Sequence, residues 1–180
     1  GGGVACRNSA SPTLSSNVIS GNAAGWDGGG VWCEANSSPL LSQNTICDNS
    51  ADDGGGGVAC SSDSSATIAS NVISGNSAHY GAGVFCWSSS PHVSHNTIRD
   101  NSAVNEGGGV YCDEYSSPDL ANNVIFGNSS ELGAGVFIYA SSPTLTNETI
   151  TGNLARQAGG GVYCCRSAPV VICNTIIALN

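Results

Sequence analysis

The sequence of 180 residues is poor in charge: it has no lysine, only four arginines, and charged residues make up 9% of the chain. With a net charge of −9, it has too few cations to neutralise several phosphates of a nucleic acid. It also has no apolar run of about 18 residues, which a membrane-spanning helix requires. We therefore expect no nucleic-acid partner and no membrane span.

Methionine is absent as well, and the sequence opens without the charged and apolar regions of a signal peptide. This start is typical of a processed mature chain or of a segment of a longer protein. We expect an extracellular or cell-surface location.

Glycine, serine and asparagine are abundant, and they recur in an internal repeat of 26 or 27 residues. Each copy combines the motifs G-[GA]-G-V-x-C, S-P-x-[LIV] and N-x-I-x-x-N. Between turn-forming residues, apolar and polar residues alternate over short stretches, and this alternation predicts strands of three to five residues. The valines of the seven copies are Val4, Val31, Val58, Val84, Val110, Val136 and Val162.

Because one coil cannot bury its own interior, successive coils must stack in register. We therefore predict an all-β fold, a parallel β-solenoid with three short strands per coil, as a single domain over residues 1–180. The coils are expected to start near residues 1, 28, 55, 81, 107, 133 and 159.

Stacking turns each repeat position into a column along the rod. Two further aliphatic columns are predicted to join the valines in the core. One consists of Leu14, Leu41, Ile68, Val93, Leu120, Leu145 and Val171, and the other of Ile19, Ile46, Ile73, Ile98, Ile125, Ile150 and Ile176.

Two asparagine columns are predicted to form hydrogen-bonded ladders, because a side-chain amide both donates and accepts. The first contains Asn22, Asn49, Asn76, Asn101, Asn128 and Asn153, and Asn180 closes it after one inserted residue. The second contains Asn17, Asn44, Asn71, Asn96, Asn123 and Asn174, with Glu148 as an interruption.

Six of the nine cysteines form a column beside the core valines: Cys6, Cys33, Cys60, Cys86, Cys112 and Cys164, with Ile138 in the remaining place. The aliphatic substitution favours buried thiols that act as small apolar groups. Disulfides between neighbouring coils and a soft-metal column remain alternatives. Cys165 and Cys173 could form a terminal disulfide.

An aromatic row is predicted on the outer face of the same strands, between valine and cysteine. Its members are Trp32, Phe85, Tyr111, Phe137 and Tyr163, with Trp87 and Tyr139 two residues further along their strands. Stacked rings alone would explain it. An exposed row would also serve as a contact surface for another protein or for sugar rings.

Acidic residues concentrate in the loops before the glycines, at Asp27, Asp52, Asp53, Glu106 and Glu131. Solvated loops explain them, and calcium held between neighbouring loops is the alternative. No Ser-His-Asp or Cys-His arrangement is recognised, so we expect no enzyme, no catalytic residue, no metal and no cofactor.

The repeat, as in Gly-Gly-Gly-Val-Tyr-Cys over residues 107–112 followed by Ser-Ser-Pro-Asp-Leu, resembles the right-handed parallel β-helix repeats of secreted and surface proteins. It is also similar to the repeats of chlamydial polymorphic outer membrane proteins. The resemblance implies the fold. It does not imply one function, since β-helices include lyases, hydrolases, adhesins and scaffolds.

Both ends of the sequence fall at coil boundaries without a charged or helical cap. Open coils expose unpaired strand edges and a cross-section of the core, so we expect head-to-tail self-assembly into a filament or surface fibre. The prediction is therefore a non-catalytic structural or adhesive solenoid. The alternatives are a protein that binds or processes carbohydrate and a segment of a larger surface adhesin.

Overall fold

The computed structural model describes residues 1–166 and 169–180, and its regular elements there are all β-strands. The strands form three seven-stranded sheets and one six-stranded sheet. Each strand pairs in parallel with its own copy one coil later, as in Val4 with Val31 and Ile19 with Ile46. The predicted all-β parallel solenoid is confirmed.

Sheet A is built from the G-V-x-C element of each repeat, in which alternate side chains face the core. Its strands are β1 (Val4–Cys6), β5 (Val31–Cys33), β9 (Val58–Ser61), β13 (Val84–Trp87), β17 (Val110–Asp113), β21 (Val136–Tyr139) and β25 (Val162–Cys165).

Sheets B and C carry the other two core columns and are separated by a sharp turn. Sheet B consists of β2 (Thr13–Ser15), β6 (Leu40–Ser42), β10 (Thr67–Ala69), β14 (His92–Ser94), β18 (Asp119–Ala121), β22 (Thr144–Thr146) and β26 (Val171–Cys173). Sheet C consists of β3 (Val18–Ser20), β7 (Thr45–Cys47), β11 (Val72–Ser74), β15 (Thr97–Arg99), β19 (Val124–Phe126), β23 (Thr149–Thr151) and β27 (Ile176–Ala178).

A fourth sheet, sheet D, occupies the segment that the repeat pattern treats as a variable loop. Small alanines at Ala51, Ala78 and Ala103 pack with Ala82 in a cluster separate from the main core. Its strands are β4 (Ala23–Ala24), β8 (Ser50–Ala51), β12 (Ser77–Tyr80), β16 (Ser102–Glu106), β20 (Ser129–Leu132) and β24 (Leu154–Ala158). The recurring Asn-Ser-Ala triplet was the signal for this sheet, which adds a fourth strand to the first six coils, whereas the last coil has the three predicted strands.

The core consists of the three predicted aliphatic columns, and in the middle coils its side chains have no exposed surface, as at Val84, Ile98 and Leu120. Each such side chain, when fully buried, contributes about 1.5–3 kcal/mol relative to an exposed one. The cysteine column lies in this core, with Cys33, Cys60, Cys86 and Cys112 fully buried beside the valines.

The last coil departs from the predicted columns by one residue. Leu145 pairs with Ile172 and Ile150 with Ile177, so the predictions of Val171 and Ile176 as core members are wrong. Strand β26 starts nine residues after Val162, the spacing also found in four earlier coils, as from Val110 to β18. The last coil therefore has no inserted residue, and Asn180 follows the core position of Ile177 by three residues, as Asn153 follows Ile150.

The asparagine ladder next to sheet D is confirmed, and each rung is hydrogen-bonded in the same way. The Asn101 side-chain oxygen accepts from the backbone N–H of Asn76 at 3.0 Å and from its Nδ2 at 2.9 Å. Its own Nδ2 donates to the Ile73 carbonyl and to Asn128 Oδ1, both at 3.0 Å. The ladder ends at Asn180, which accepts from Asn153 at 2.9 Å.

The second ladder runs between sheets B and C, and its last two members differ from the prediction. Glu148 occupies an asparagine position, since its Oε1 accepts from Asn123 Nδ2 at 2.9 Å. Thr175 follows it, because its hydroxyl accepts from the Glu148 backbone N–H at 3.2 Å. Asn174 instead donates to Asn147 on the outer surface, so its placement in the ladder was wrong.

Replacing a ladder asparagine should be costly. We expect Asn101→Ala to lower the free energy of unfolding by about 3 kcal/mol, because several hydrogen bonds are lost and buried backbone groups are left without partners. Asn105→Ala, at a half-buried position of β16 outside both ladders, is the control. Urea denaturation measures both, and equal effects would contradict a special role for the ladder.

Candidate functional site

The aromatic row on the outer face of sheet A forms a continuous stack. Ring centroids lie 5.2 Å apart between Phe85 and Tyr111, 5.3 Å between Tyr111 and Phe137, and 5.5 Å between Phe137 and Tyr163. The planes differ by 8° or less, the offset-stacked arrangement that aromatic pairs favour. The predicted stacking is confirmed.

The expected exposure of this row is wrong for three of its rings. Phe85, Tyr111 and Phe137 are only 5%, 5% and 3% exposed. Tyr80 and Leu132, from the ends of sheet D strands, pack against them. The repeat pattern could not show this cover, because it treats the segment before the glycines as a loop.

The other predicted surface aromatics lie at the edges of this cover. Trp87 is 40% exposed and stacks on Phe85 with a centroid distance of 6.2 Å. Trp32, Tyr139 and Tyr163 are half-buried. Arginines cover two of these rings, Arg7 at 4.9 Å from the Trp32 centroid and Arg166 at 5.8 Å from that of Tyr139.

The residue directly before the glycines of each coil forms a further column, which determines the shape of the surface here. Its members are Asp27, Gly54, Tyr80, Glu106, Leu132 and Ala158, aligned by strand pairing and by the hydrogen bond from the Gly54 N–H to Asp27 Oδ1.

Gly54 makes room in this column for the Phe85 ring. A Cβ at Gly54 would lie 2.8 Å from three atoms of the ring, so the ring and a side chain cannot both occupy this place. The Phe85 ring placed in this way is part of the lining of a groove of about 550 Å³ along sheet A.

The groove combines rings with carboxylates from different coils. Its rings are Tyr80, Phe85, Trp87 and Tyr111, its carboxylates are Asp27, Asp53, Glu106 and Asp113, and Ser61 also contributes. Of the acidic loop residues singled out from the sequence, Asp27, Asp53 and Glu106 are therefore brought together, whereas Asp52 and Glu131 lie outside. Asp113 was missed, because it stands on β17 and not in a loop.

Asp113 and Ser61 of the groove accept hydrogen bonds from neighbouring groups. Tyr111 donates its hydroxyl to Asp113 Oδ2 at 2.8 Å, and the Glu114 N–H donates to Asp113 Oδ1 at 2.6 Å. Ser61 accepts from the Trp32 indole N–H at 3.3 Å.

Partial burial raises the pKa of both Asp27 and Glu106, because it penalises the charged form. A neighbouring carboxylate adds to each shift, Asp53 for Asp27 and Asp113 for Glu106. The side chains that line the groove include no cation.

Comparison with known proteins supports the fold seen in these sheets. A family model described as a right handed beta helix region matches residues 3–177. The chain belongs to this right-handed β-helix family. No curated protein and no solved structure matches it. Since the family contains both enzymes and proteins without catalytic activity, membership does not determine what this β-helix does.

Two predictions about binding sites can be compared with the β-helix directly. Among residues 1–166 and 169–180, no three histidine, cysteine, aspartate or glutamate side chains are placed to hold one metal ion. Cys173 carries a free thiol, so the disulfide to Cys165 is not formed. Within the same ranges, no helix is long and apolar enough to cross a membrane.

Glu148 is the acidic member of the second ladder, between sheets B and C, and it is 1% exposed. Its Oε2 is buried and has no hydrogen-bond partner within the described part of the β-helix. Burial raises the pKa of this carboxyl to about 7, against the opposing effect of the hydrogen bonds from Asn123.

A buried serine column, which was not predicted from the sequence, stabilises the turn between sheets A and B. Ser37 donates to the Cys6 carbonyl at 3.0 Å, and Ser89 donates to the Cys60 carbonyl at 2.8 Å. Ser116 donates to the Asp113 carbonyl at 2.6 Å. The recurring Ser-Ser before proline was the available signal.

The burial of the ring stack leads to a stability prediction. We expect Phe137→Ala to lower the free energy of unfolding by about 3–5 kcal/mol, because the ring is enclosed between Tyr111 and Tyr163. Trp87→Ala, at the exposed edge, should cost less than half as much. Chemical denaturation of both variants tests this, and a larger loss for Trp87→Ala would refute it.

Glu148 makes stability depend on pH. Its folded-state pKa, about 7, lies above the ordinary value of 4.5, so its protonation favours the fold. This contribution, about 3 kcal/mol, is complete below pH 4.5 and is lost as the pH rises through 7. We therefore expect Glu148→Gln to be the more stable form above pH 7. Denaturation midpoints of both forms across this range measure the effect, and a lower midpoint for Glu148→Gln than for the parent chain above pH 7 would refute it.

Proposed function

We propose that this β-helix is a non-catalytic structural protein of the cell exterior whose coils stack head to tail on those of further copies. The observation that carries the proposal is the directional match between the two end faces of the solenoid. The extracellular setting follows from the resemblance to secreted and surface repeats.

The ladders give every coil the same donor and acceptor faces. At each step the backbone N–H and Nδ2 of one asparagine donate to the Oδ1 of its copy in the next coil, as from Asn22 to Asn49. The first coil therefore presents the Asn22 side-chain oxygen outward, and the last coil presents the backbone N–H of Asn180. In a second copy stacked along the same axis, the Asn22 side-chain oxygen would accept from the Asn180 backbone N–H of the first copy, as in each step between coils of one chain.

The apolar cross-section supports the same arrangement. Ile172 and Ile177 in the last coil are 44% and 45% exposed, whereas Leu145 and Ile150 one coil earlier are fully buried. At the other end, Val4 and Leu14 are partly buried against the core. Stacking would remove this surface from water at both ends, and edge strands β1 and β25 would gain partners.

The alternative functions have weaker support. Sugar binding along an aromatic row needs exposed rings, and three of the five rings of the row are buried. Of the adjacent acids Asp52 and Asp53, only Asp53 lines the groove, so they do not form a paired site there. A role as a structural rod uses the features that occur in every coil.

Sedimentation velocity and negative-stain electron microscopy of the 180-residue chain test the proposal. We expect linear particles that grow with concentration and lengthen in steps of about 34 Å, the height of seven coils. A single monomeric species at millimolar concentration would overturn it.

Two exposed aliphatic residues of sheet C provide a matched pair of variants. Ile177→Lys places a charge on the end face and should abolish growth, since a lysine there would be buried unpaired on stacking. Val124→Lys, on the lateral surface with 40% exposure, should assemble like the parent chain. Circular dichroism checks that both variants keep the fold, and equal assembly by both would contradict the end-face contact.

A further inference from the structure

We propose that the groove on sheet A binds a linear aliphatic polyamine that lies along the solenoid axis. The inference does not rest on end-to-end stacking, because the residues that line the groove all come from the first five coils of one chain.

The carboxylates are placed at the two ends of an extended site. Asp27 and Glu106 belong to the same column and are three coils apart, about 14 Å along the rod. Gly54 and Tyr80 stand between them in that column. Asp53 and Asp113 add a second carboxylate towards each end. A ligand that satisfies both ends must be long, and it must carry positive charge at separated points.

The middle of the groove suits an alkyl chain. Phe85 and Tyr111 form its floor, and the Tyr80 ring lies 5.6 Å from that of Tyr111. Trp87, the exposed ring at the edge, offers a face to a methylene chain or to an ammonium group. The apolar segments between the nitrogens of a polyamine match this alternation of charge and ring.

The acceptors of the groove outnumber its donors. The Tyr111 hydroxyl proton is already donated to Asp113, whereas the Ser61 and Tyr80 hydroxyls and the Trp87 indole N–H keep a proton to donate. Against these donors stand four carboxylates, which accept. Ammonium groups carry donors and no acceptor, so they match the carboxylates better than a sugar hydroxyl, which brings an acceptor with every donor.

No arginine lines the groove, and of its four carboxylates Asp27 has the α-ammonium group of Gly1 nearby. Arg7 pairs with Glu34 at 3.0 Å and Arg99 with Asp100 at 2.5 Å, and none of these four residues lines the groove. A single metal ion does not fit either, since within the described residues no three acidic, histidine or cysteine side chains converge on one point. Burial raises the pKa of Asp27 although the Gly1 ammonium group lowers it, and burial together with the Asp113 carboxylate raises the pKa of Glu106.

Isothermal titration calorimetry with spermidine tests the inference. We expect saturable binding of one spermidine per chain that weakens with added salt. Asp27→Asn and Glu106→Gln should each reduce the affinity about tenfold, because each removes one charge-assisted contact while keeping the side-chain shape. Trp87→Ala should weaken binding as well.

Matched controls separate the groove from the general negative charge of the chain. Asp63→Asn, at an exposed position outside the groove, removes the same charge and should leave the affinity unchanged. A shorter diamine, 1,4-diaminobutane, should bind more weakly than spermidine because it cannot reach both ends. Thermal melts verify that all variants are folded.

The outcomes that would overturn the inference are equally specific. They are the absence of spermidine binding at millimolar concentration, an affinity that falls equally for Asp63→Asn and Glu106→Gln, or calcium binding in the groove that excludes spermidine. Binding of an uncharged oligosaccharide that competes with spermidine and is lost in Trp87→Ala would also overturn it, in favour of a sugar site.

Discussion

The register between successive coils is the constraint on which every other feature depends. In-register parallel pairing brings each side chain against its own copy, so that asparagine meets asparagine, valine meets valine and ring meets ring. For an amide this contact is favourable in both directions, because Asn76 both accepts from the coil before and donates to the coil after. The ladders therefore fix the register, and the core columns and aromatic stack follow from it.

The same register explains what the sequence predicted well. The columns of Val, Ile, Asn and Cys could be read directly, since a repeat position has one environment throughout a solenoid. The last coil was misassigned because adjacent aliphatic residues, Val171 beside Ile172 and Ile176 beside Ile177, fit the pattern in two registers. The strand pairing of Leu145 with Ile172 decides between them. Glu148 could not be recognised as a ladder member from the sequence, because a carboxyl differs from an amide in charge and in its lack of donors. Only the structure shows that its Oε1 accepts from Asn123 as an asparagine oxygen would.

The groove lay beyond the reach of the repeat pattern for a different physical reason. It forms where the copies differ, with aspartate, glycine, tyrosine and glutamate at one position of four successive coils. None of these residues stands out in the sequence. They line one groove only because the ends of the sheet D strands pack against the ring stack that contains Phe85. The repeated residues form the core and the ladders of the solenoid. The non-repeated ones place carboxylates at Asp27 and Glu106 on one side of it, and at Gly54 they leave room for the Phe85 ring.

The variable length of the turn between sheets A and B shows how such a fold tolerates change. The sheet B strand starts eight residues after the valine in two coils, as from Val136 to β22, and nine in the other five, as from Val162 to β26, yet Asn180 still meets Asn153 at 2.9 Å. An insertion in a turn is thus absorbed locally, without cost to the interior. The lateral surface can consequently diverge over evolution, coil by coil, while the hydrogen-bonded frame that carries it is inherited unchanged.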